Sequence, residues 1–254
     1  MTRPTLDELR TVCQPVSTLS RRNGEHWLAL LWLRDVSLRL TALLVRTPVT
    51  ANQLTALMIV VGLIAALAAA QPGLAWALAA AGLVLVYFLL DLCDGEVARW
   101  RGATSVTGVY LDRVGHYLVE AALLVAYGFR AGGQELGGWT TLGCVGALCV
   151  VLIKAETDLV DVARSRSGLT PAADDQAEVR SAWIGMARRA ASVLHVHQIT
   201  GAVESVALLV VAAVVDSVLG GLTATRVLLV ALVAVAAVMV VAHLASILWS
   251  RRLH

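Results

Sequence analysis

Long apolar stretches separated by short polar breaks dominate the chain. Residues 53–90 contain no charged side chain, although about 20 helical residues are enough to cross the apolar core of a bilayer. Gln71-Pro72-Gly73 interrupts this stretch, and a proline followed by a glycine favours a turn. The pattern therefore predicts two membrane-spanning helices, at about residues 52–70 and 74–99.

Four further apolar stretches predict four more spans, at about residues 106–128, 136–153, 199–218 and 225–249. The fourth span is expected to continue as a polar helix to about residue 165. The sixth is the most uniformly apolar, and it ends at Trp249 before an arginine pair. The predicted fold is an all-α integral membrane protein with six transmembrane helices.

Residues 24–46 have a different pattern, in which apolar side chains are interrupted by Arg34, Asp35, Arg39 and Arg46. This pattern predicts an amphipathic helix that lies in the membrane interface; an additional tilted span is the alternative. The first twenty residues contain charges and no apolar core, so no cleavable signal peptide is predicted. We therefore expect a cytoplasmic N-terminus with an interfacial helix over residues 1–50, and a six-helix membrane domain over residues 51–254.

Arginines are distributed unevenly among the predicted loops, and cytoplasmic loops are enriched in positive charge. A cytoplasmic N-terminus places on the inside the arginines from Arg3 to Arg46, Arg99, Arg101, those of residues 159–198, and Arg251 and Arg252. Only Arg130 and Arg226 then lie outside. The distribution predicts a protein of the cell inner or plasma membrane with both termini in the cytoplasm.

Composition agrees with a membrane protein and argues against other classes. The chain is 58% hydrophobic and 15% charged, and a soluble domain would carry more charge. A net charge of +2, without interleaved aromatic and basic residues, argues against nucleic-acid binding. The cysteines (Cys13, Cys93, Cys144 and Cys149) lack zinc-site spacing, so we expect reduced thiols.

Acidic residues gather where the second and third predicted spans face each other across a short polar turn. Asp91 and Asp94 are three residues apart, and Asp112 and His116 are four apart, so each pair lies on one helix face. Carboxylates at membrane depth are costly and usually functional. Oxygen donors from two helices suit Mg²⁺ or Mn²⁺. An ion-conducting path is the less favoured alternative, because its acids would be spread across the bilayer rather than gathered at one end.

This run resembles the signature of the CDP-alcohol phosphotransferase family, Asp-x2-Asp-Gly-x2-Ala-Arg-x8-Gly-x3-Asp-x3-Asp. Seven of the eight fixed positions match at the right intervals: Asp91, Asp94, Gly95, Ala98, Arg99, Gly108 and Asp112. His116 stands where the family has its fourth aspartate. The resemblance implies a homodimeric enzyme that transfers a substituted phosphoryl group from a CDP-linked donor, such as CDP-diacylglycerol, to an alcohol and releases CMP.

The resemblance also implies roles for single residues. Asp91, Asp94 and Asp112 are the expected metal ligands; buried ion pairs with Arg99 and Arg113 are the alternative. Gly95, Ala98 and Gly108 would line the cytidine pocket, although glycines in membrane helices also permit close packing. Arg99 would hold the carboxylates or contact a phosphate, or it would serve as a cytoplasmic anchor.

Asn52 lies in Thr47-Pro-Val-Thr-Ala-Asn-Gln-Leu-Thr55, which opens the first span and is similar to the family's Thr-Pro-Asn-x-x-Thr entry to that span, with Ala51 in place of the proline. The resemblance implies that Asn52 faces the nucleotide diphosphate. The alternative is a helix N-cap at Thr50 or Asn52.

His116 departs from the family pattern, where the aspartate is implied to be the general base and a ligand of a second metal. Imidazole is a competent base near neutral pH, but it carries one negative charge fewer. Three outcomes remain: His116 acts as the base, the enzyme uses a variant substrate or metal arrangement, or the protein binds nucleotide without transfer. Glu120, one turn later, would supply the missing carboxylate or only pack against a polar neighbour.

The acceptor side is defined less well. Lys154, Arg180, Arg188 and Arg189 are candidate contacts for a phosphate of the acceptor. Snorkelling of the lysine and anchoring of the arginines to anionic headgroups explain them equally well. Neither the acceptor nor the donor is selected by the residues.

Overall fold

The computed structural model describes residues 5–15, 33–170 and 199–249, and within these ranges it is helical without strands. In these three ranges there are eight helices: α1 (Leu6–Cys13), α2 (Arg34–Leu44), α3 (Ala51–Ala69), α4 (Leu74–Trp100), α5 (Val106–Ala131), α6 (Gly138–Arg166), α7 (Ala202–Leu219) and α8 (Thr223–Trp249). The predicted all-α class is confirmed.

Five of the described helices, α3, α4, α6, α7 and α8, are long and apolar enough to cross a membrane. Each begins and ends within a few residues of a predicted span, and α6 includes the predicted polar extension. The fold is thus that of an all-α membrane protein. Helix α5 has 26 residues but is not among the five, because it carries Asp112, Arg113, His116 and Glu120. The sixth span stays a prediction.

The N-terminal region contains one helix that we did not predict. Helix α1 begins with a capping box, in which the Thr5 hydroxyl accepts from the Glu8 backbone N–H at 3.2 Å and the Glu8 carboxylate accepts from the Thr5 N–H at 2.8 Å. The Thr-x-x-Glu spacing was a readable signal for this start. Helix α2 covers the second part of the predicted interfacial helix, whose residues 24–32 lie outside the described ranges.

The chain forms two compact units. The first contains residues 1–65 and 82–119, and the second contains residues 66–81 and 120–254. In the first unit, Leu9, Cys13 and Leu38 are buried together, with Ala42 and Trp100 packed against them. Helices α1 and α2 therefore pack on the end of α4 that carries the acidic motif.

In the second unit, α5 and α6 approach each other closely at two glycines. A Cβ atom on Gly128 would lie 2.6 Å from the backbone oxygen of Trp139, and one on Gly143 would lie 2.6 Å from that of Leu124. No side chain fits at such distances, so the two backbones are in direct contact. Small residues at helix crossings are typical of packing within membranes.

Polar residues fix the turns of the second unit. Asp216 accepts from the backbone N–H groups of Ala224 and Thr225, at 2.7 and 3.0 Å, and from the Thr225 hydroxyl at 2.6 Å. These groups belong to the first turn of α8, whose N–H groups have no partner within the helix. The buried Arg130 guanidinium donates to the carbonyl oxygens of Gln71 and Gly73 and so anchors the turn between α3 and α4.

Candidate active site

Two helices and one short turn position the acidic motif in the first unit. Helix α4 continues past Asp91 and Asp94 to Trp100, and α5 begins at Val106. Gly102 ends α4 with a φ of 59°, a left-handed conformation that glycine adopts readily. The backbone N–H of Ala103 donates to the Ala98 carbonyl at 2.9 Å and closes the turn.

Three of the four predicted metal ligands converge. The Nε2 atom of His116 lies 3.1 Å from an oxygen of Asp91 and 3.3 Å from an oxygen of Asp112. One donor atom from each of the three residues lies within 4.8 Å of the others. Their side chains keep 20% (Asp91), 27% (His116) and 39% (Asp112) of their accessible surface, so the cluster is open to a ligand.

The fourth predicted ligand, Asp94, lies outside this three-residue cluster. Its carboxylate is buried and accepts a hydrogen bond of 2.6 Å from the Thr55 hydroxyl on α3. Asp94 is one helical turn from Asp91 and therefore on the same face of α4. Thr55 thus ties α3 to the motif and fixes the direction of one carboxylate.

Two predicted nucleotide-binding residues lie side by side. A Cβ atom on Gly108 would be 3.0 Å from the Asn52 side-chain oxygen and 3.2 Å from the Ser105 hydroxyl. The N-cap of α3 is formed by Thr50, whose hydroxyl accepts from the Gln53 N–H at 3.3 Å while the Gln53 side chain accepts from the Thr50 N–H at 2.9 Å. The capping alternative therefore holds for Thr50, and the Asn52 carboxamide is directed towards Gly108.

The remaining predicted nucleotide-binding residues lie near the N-terminal helix. Arg99 donates from Nε to the Cys13 carbonyl at 2.7 Å, and its guanidinium covers Gly95, where a Cβ atom would lie 3.1 Å from Nη1. Ala98 is half-buried next to Arg99. Burial and the neighbouring Glu96 carboxylate raise the pKa of the Cys13 thiol to about 11, although Arg99 acts in the opposite direction.

Glu96, which we did not predict as a site residue, is fully buried beside the motif. One carboxylate oxygen accepts from the Gln14 amide and the Ser37 hydroxyl, both at 2.8 Å, and the other accepts from the Thr41 hydroxyl at 2.8 Å. Arg34 lies 3.6 Å away. Glu96 joins α1 and α2 to the motif, and no local pattern could have indicated it because its partners are 55 to 82 residues away.

Tyr87 and Thr55 were also missed. The Tyr87 hydroxyl lies 2.6 Å from Nδ1 of His116, and the two rings are perpendicular with centroids 5.9 Å apart. Tyr87 precedes Asp91 by four residues, so its position on the motif face was readable from the helical spacing. Thr55 is the last residue of the stretch that resembles the family's Thr-Pro-Asn-x-x-Thr entry, but we assigned it no role.

The predicted acceptor contacts are described only in part. In the second unit, the Lys154 ammonium lies 3.1 Å from a carboxylate oxygen of Glu120, and nearby on α6 Glu156 lies 3.0 Å from Nδ1 of His243. Lys154 and Glu120 thus have each other as partners. Arg180, Arg188 and Arg189 lie outside the described residues.

The donor set fits a divalent cation. Neighbouring ligands around an octahedral ion with bonds of about 2.1 Å are about 3 Å apart, which is close to the spacing of His116 Nε2 from its two carboxylate neighbours. The sequence matches no protein-family model and no curated protein. The family resemblance therefore depends on the motif residues of the sequence alone.

Proposed function

We propose that the protein is a membrane-embedded, metal-dependent CDP-alcohol phosphotransferase. It transfers a substituted phosphoryl group, such as phosphatidyl from CDP-diacylglycerol, to an alcohol and releases CMP during the synthesis of phospholipids or related polar lipids. The observation that supports this proposal most directly is the convergence of Asp91, Asp112 and His116 from the two halves of the motif.

The metal would be held by these three residues and by Asp94. A bound Mg²⁺ or Mn²⁺ supplies positive charge that neutralises the donor's diphosphate and the leaving CMP. Asp91 and Asp112 present oxygens from two helices towards one point. Thr55 keeps the Asp94 carboxylate in one orientation through its hydroxyl.

The cytidine end of the donor would lie along Gly108 and, with the Arg99 guanidinium that covers Gly95 moved aside, along Gly95. Glycine lets a flat base or a ribose approach the helix backbone. Asn52, whose side-chain oxygen is next to Gly108, would donate a hydrogen bond from its amide nitrogen to a diphosphate oxygen. Arg99, which lies against Gly95, supplies a positive charge at the same end.

The transfer step needs a base for the acceptor alcohol. The alcohol oxygen attacks the phosphorus that carries the lipid group, the bond from this phosphorus to the CMP oxygen breaks, and the hydroxyl proton passes to the base. The family's fourth aspartate is implied both as base and as metal ligand, and His116 takes its place. In either role the acting atom is Nε2, because Nδ1 faces Tyr87.

The proposal also covers the membrane location of the enzyme, its oligomeric state and its acceptor contacts. The site would open to the cytoplasm of the inner or plasma membrane, where soluble nucleotides and acceptors are present, in a homodimer surrounded by membrane lipids. Lys154 with Arg180, Arg188 and Arg189 would contact an acceptor phosphate.

The test is CMP release by the purified protein with CDP-diacylglycerol and Mg²⁺ or Mn²⁺. The acceptor panel is glycerol phosphate, inositol phosphate, inositol and serine. We expect CMP release with one acceptor, and at least a hundredfold loss with Asp112→Asn, which keeps the side-chain shape but removes the charge. A preparation that melts normally and releases no CMP with any acceptor would contradict the proposal.

A second candidate function is nucleotide binding without transfer. It is favoured by one observation: His116 replaces a carboxylate and contacts both remaining acids of the cluster, which lowers the negative charge available to a second metal. Calorimetric binding of CDP-diacylglycerol in detergent, without CMP release, would support this candidate over the transferase.

A further inference from the structure

The Tyr87 side chain is held in one position beside His116. It is 2% exposed and lies on α4, one turn before Asp91. A Cβ atom on Gly62 of α3 would lie 2.9 Å from the Tyr87 ring, so the ring packs directly on that helix. On its other side the hydroxyl meets Nδ1 of His116 at 2.6 Å. The phenol therefore has little freedom to turn away from the imidazole.

Because of this contact, the two ring nitrogens of His116 have different neighbours. Nδ1 is engaged by Tyr87, and Nε2 faces the oxygens of Asp91 and Asp112. When one imidazole nitrogen binds a metal, the other carries a hydrogen and donates it to an acceptor that fixes the ring. The Tyr87 hydroxyl oxygen is placed to accept the Nδ1–H bond.

We propose that Tyr87 is a positioning residue that orients His116 as a metal ligand through Nε2, and that the site therefore selects a first-row transition ion over Mg²⁺. The inference rests on the metal-dependent reaction proposed above and deepens it. Imidazole nitrogen is a poor ligand for Mg²⁺, which favours oxygen donors, and it suits first-row ions better. Two carboxylates and one imidazole form such a mixed set.

This assignment also distinguishes between the two roles proposed for His116, general base and metal ligand. A nitrogen that ligates an ion has no lone pair left for a proton from the acceptor alcohol. His116 is then a ligand, and the base is another group. The substitution of histidine for aspartate is accordingly a change of metal preference within an active enzyme.

Mn²⁺ is the probe for the test, because its unpaired electrons report both binding and the identity of the ligands. Mn²⁺ binding to the purified full-length protein is measured by electron paramagnetic resonance, and pulsed spectra are recorded with natural-abundance and ¹⁵N-histidine-labelled protein. We expect a nitrogen coupling that changes on labelling. His116→Asp should bind Mn²⁺ without this coupling, and its Mn²⁺-over-Mg²⁺ preference should fall at least tenfold.

Tyr87→Phe tests the positioning role, because phenylalanine keeps the ring and removes only the hydroxyl. Loss of an outer hydrogen-bond partner lowers metal affinity by about 10- to 100-fold in known sites, and we expect a loss in this range at an unchanged melting temperature. Tyr110→Phe is the matched control, since Tyr110 is on α5 near Asp112 but exposed, and it should bind Mn²⁺ like the parent.

The outcomes separate this inference from the proposed function. CMP release with Mn²⁺ bound but no histidine coupling would overturn the inference and leave the transferase standing. Parental Mn²⁺ affinity in Tyr87→Phe would overturn the positioning role in the same way. If a well-folded protein binds neither Mn²⁺ nor Mg²⁺ and releases no CMP, the proposed function and the inference both fail.

Discussion

Glu96 carries a buried charge whose partners all come from the N-terminal part of the chain. Replacement by alanine would remove the carboxylate that accepts from Gln14, Ser37 and Thr41. Gln14 and Ser37 would keep only their bonds to the Arg34 carbonyl oxygen. Removing one member of a buried charged network costs about 3–5 kcal/mol. We therefore expect Glu96→Ala to lower the melting temperature markedly and to expose α1 to limited proteolysis.

Glu96→Gln is the matched control for this prediction. The amide keeps the size of the side chain and one acceptor oxygen, and the hydroxyls of Ser37 and Thr41 can rotate to accept from its nitrogen. The expected loss is about 1 kcal/mol, the net value of one hydrogen bond. Equal melting temperatures for Glu96→Ala and the parent would mean that the N-terminal helices are not held by this carboxylate.

Thr55 offers a test of how the Asp94 carboxylate is oriented. Thr55→Val is nearly isosteric and removes the hydroxyl that donates to Asp94 at 2.6 Å. A charged hydrogen bond contributes about 1.5–3 kcal/mol, so we expect CMP release to fall at least tenfold through kcat. Thr55→Ser keeps the hydroxyl and should retain most of the activity. Equal loss in both variants would point to packing of the methyl group instead.

The sequence predicted which side chains form the acidic cluster, but not the residues that hold the neighbouring Asp94 and Glu96 carboxylates in place. The i,i+3 and i,i+4 spacings, with a turn between two helices, were enough to bring Asp91, Asp112 and His116 together. The Thr55 hydroxyl bonds to Asp94, which is 39 residues away in the sequence. The residues that bond to the Glu96 carboxylate are 55 to 82 residues away from it. Such contacts depend on how helices pack, which no local spacing encodes.

Glycines determine how closely α5 and α6 pack. A Cβ atom on Gly143 would lie 2.6 Å from a backbone oxygen of α5, and backbone can yield only if the helices separate. We expect Gly143→Ala to lower the melting temperature in detergent, at a cost of about 1–3 kcal/mol for overpacking.

Gly82→Ala is the comparison for this change. Gly82 lies within α4, and a Cβ atom there meets nothing within 4 Å. Alanine is favoured over glycine in a helix by about 1 kcal/mol, so this variant should melt at or above the parental temperature. A similar loss in both variants would show that glycine itself, and not the helix contact, matters.

Helix bounds were predictable where apolar character changes abruptly. Gln71-Pro72-Gly73 separated α3 from α4, and the polar turn after Trp100 separated α4 from α5, as the structure has them. Helix α1 was missed because eight residues are too few for a periodic signal. Its capping box was visible in the sequence, but a short cap motif alone also occurs in turns.

The uneven distribution of arginines predicts the membrane orientation of the whole chain, and helix α5 offers a test of this prediction. Helix α5 lies between the exposed turn at Ala103 and the exposed turn at Glu135. If α5 crosses the membrane, these turns are on opposite sides, and the positive-inside pattern places Ala103 in the cytoplasm. We expect Glu135→Cys to react with a membrane-impermeant maleimide in intact cells, and Ala103→Cys to react only after permeabilisation.

The two cysteines are introduced singly, in a background whose four native cysteines are replaced and which still releases CMP. Each result then bears on a separate assumption. Labelling of both positions from the same side would mean that α5 does not cross, so the charges of Asp112 and Glu120 would keep it out of the bilayer and six spans would be wrong. Labelling in the reverse order would keep the crossing but invert the orientation, and the acidic cluster would then face away from cytoplasmic nucleotides, which the proposed reaction does not permit.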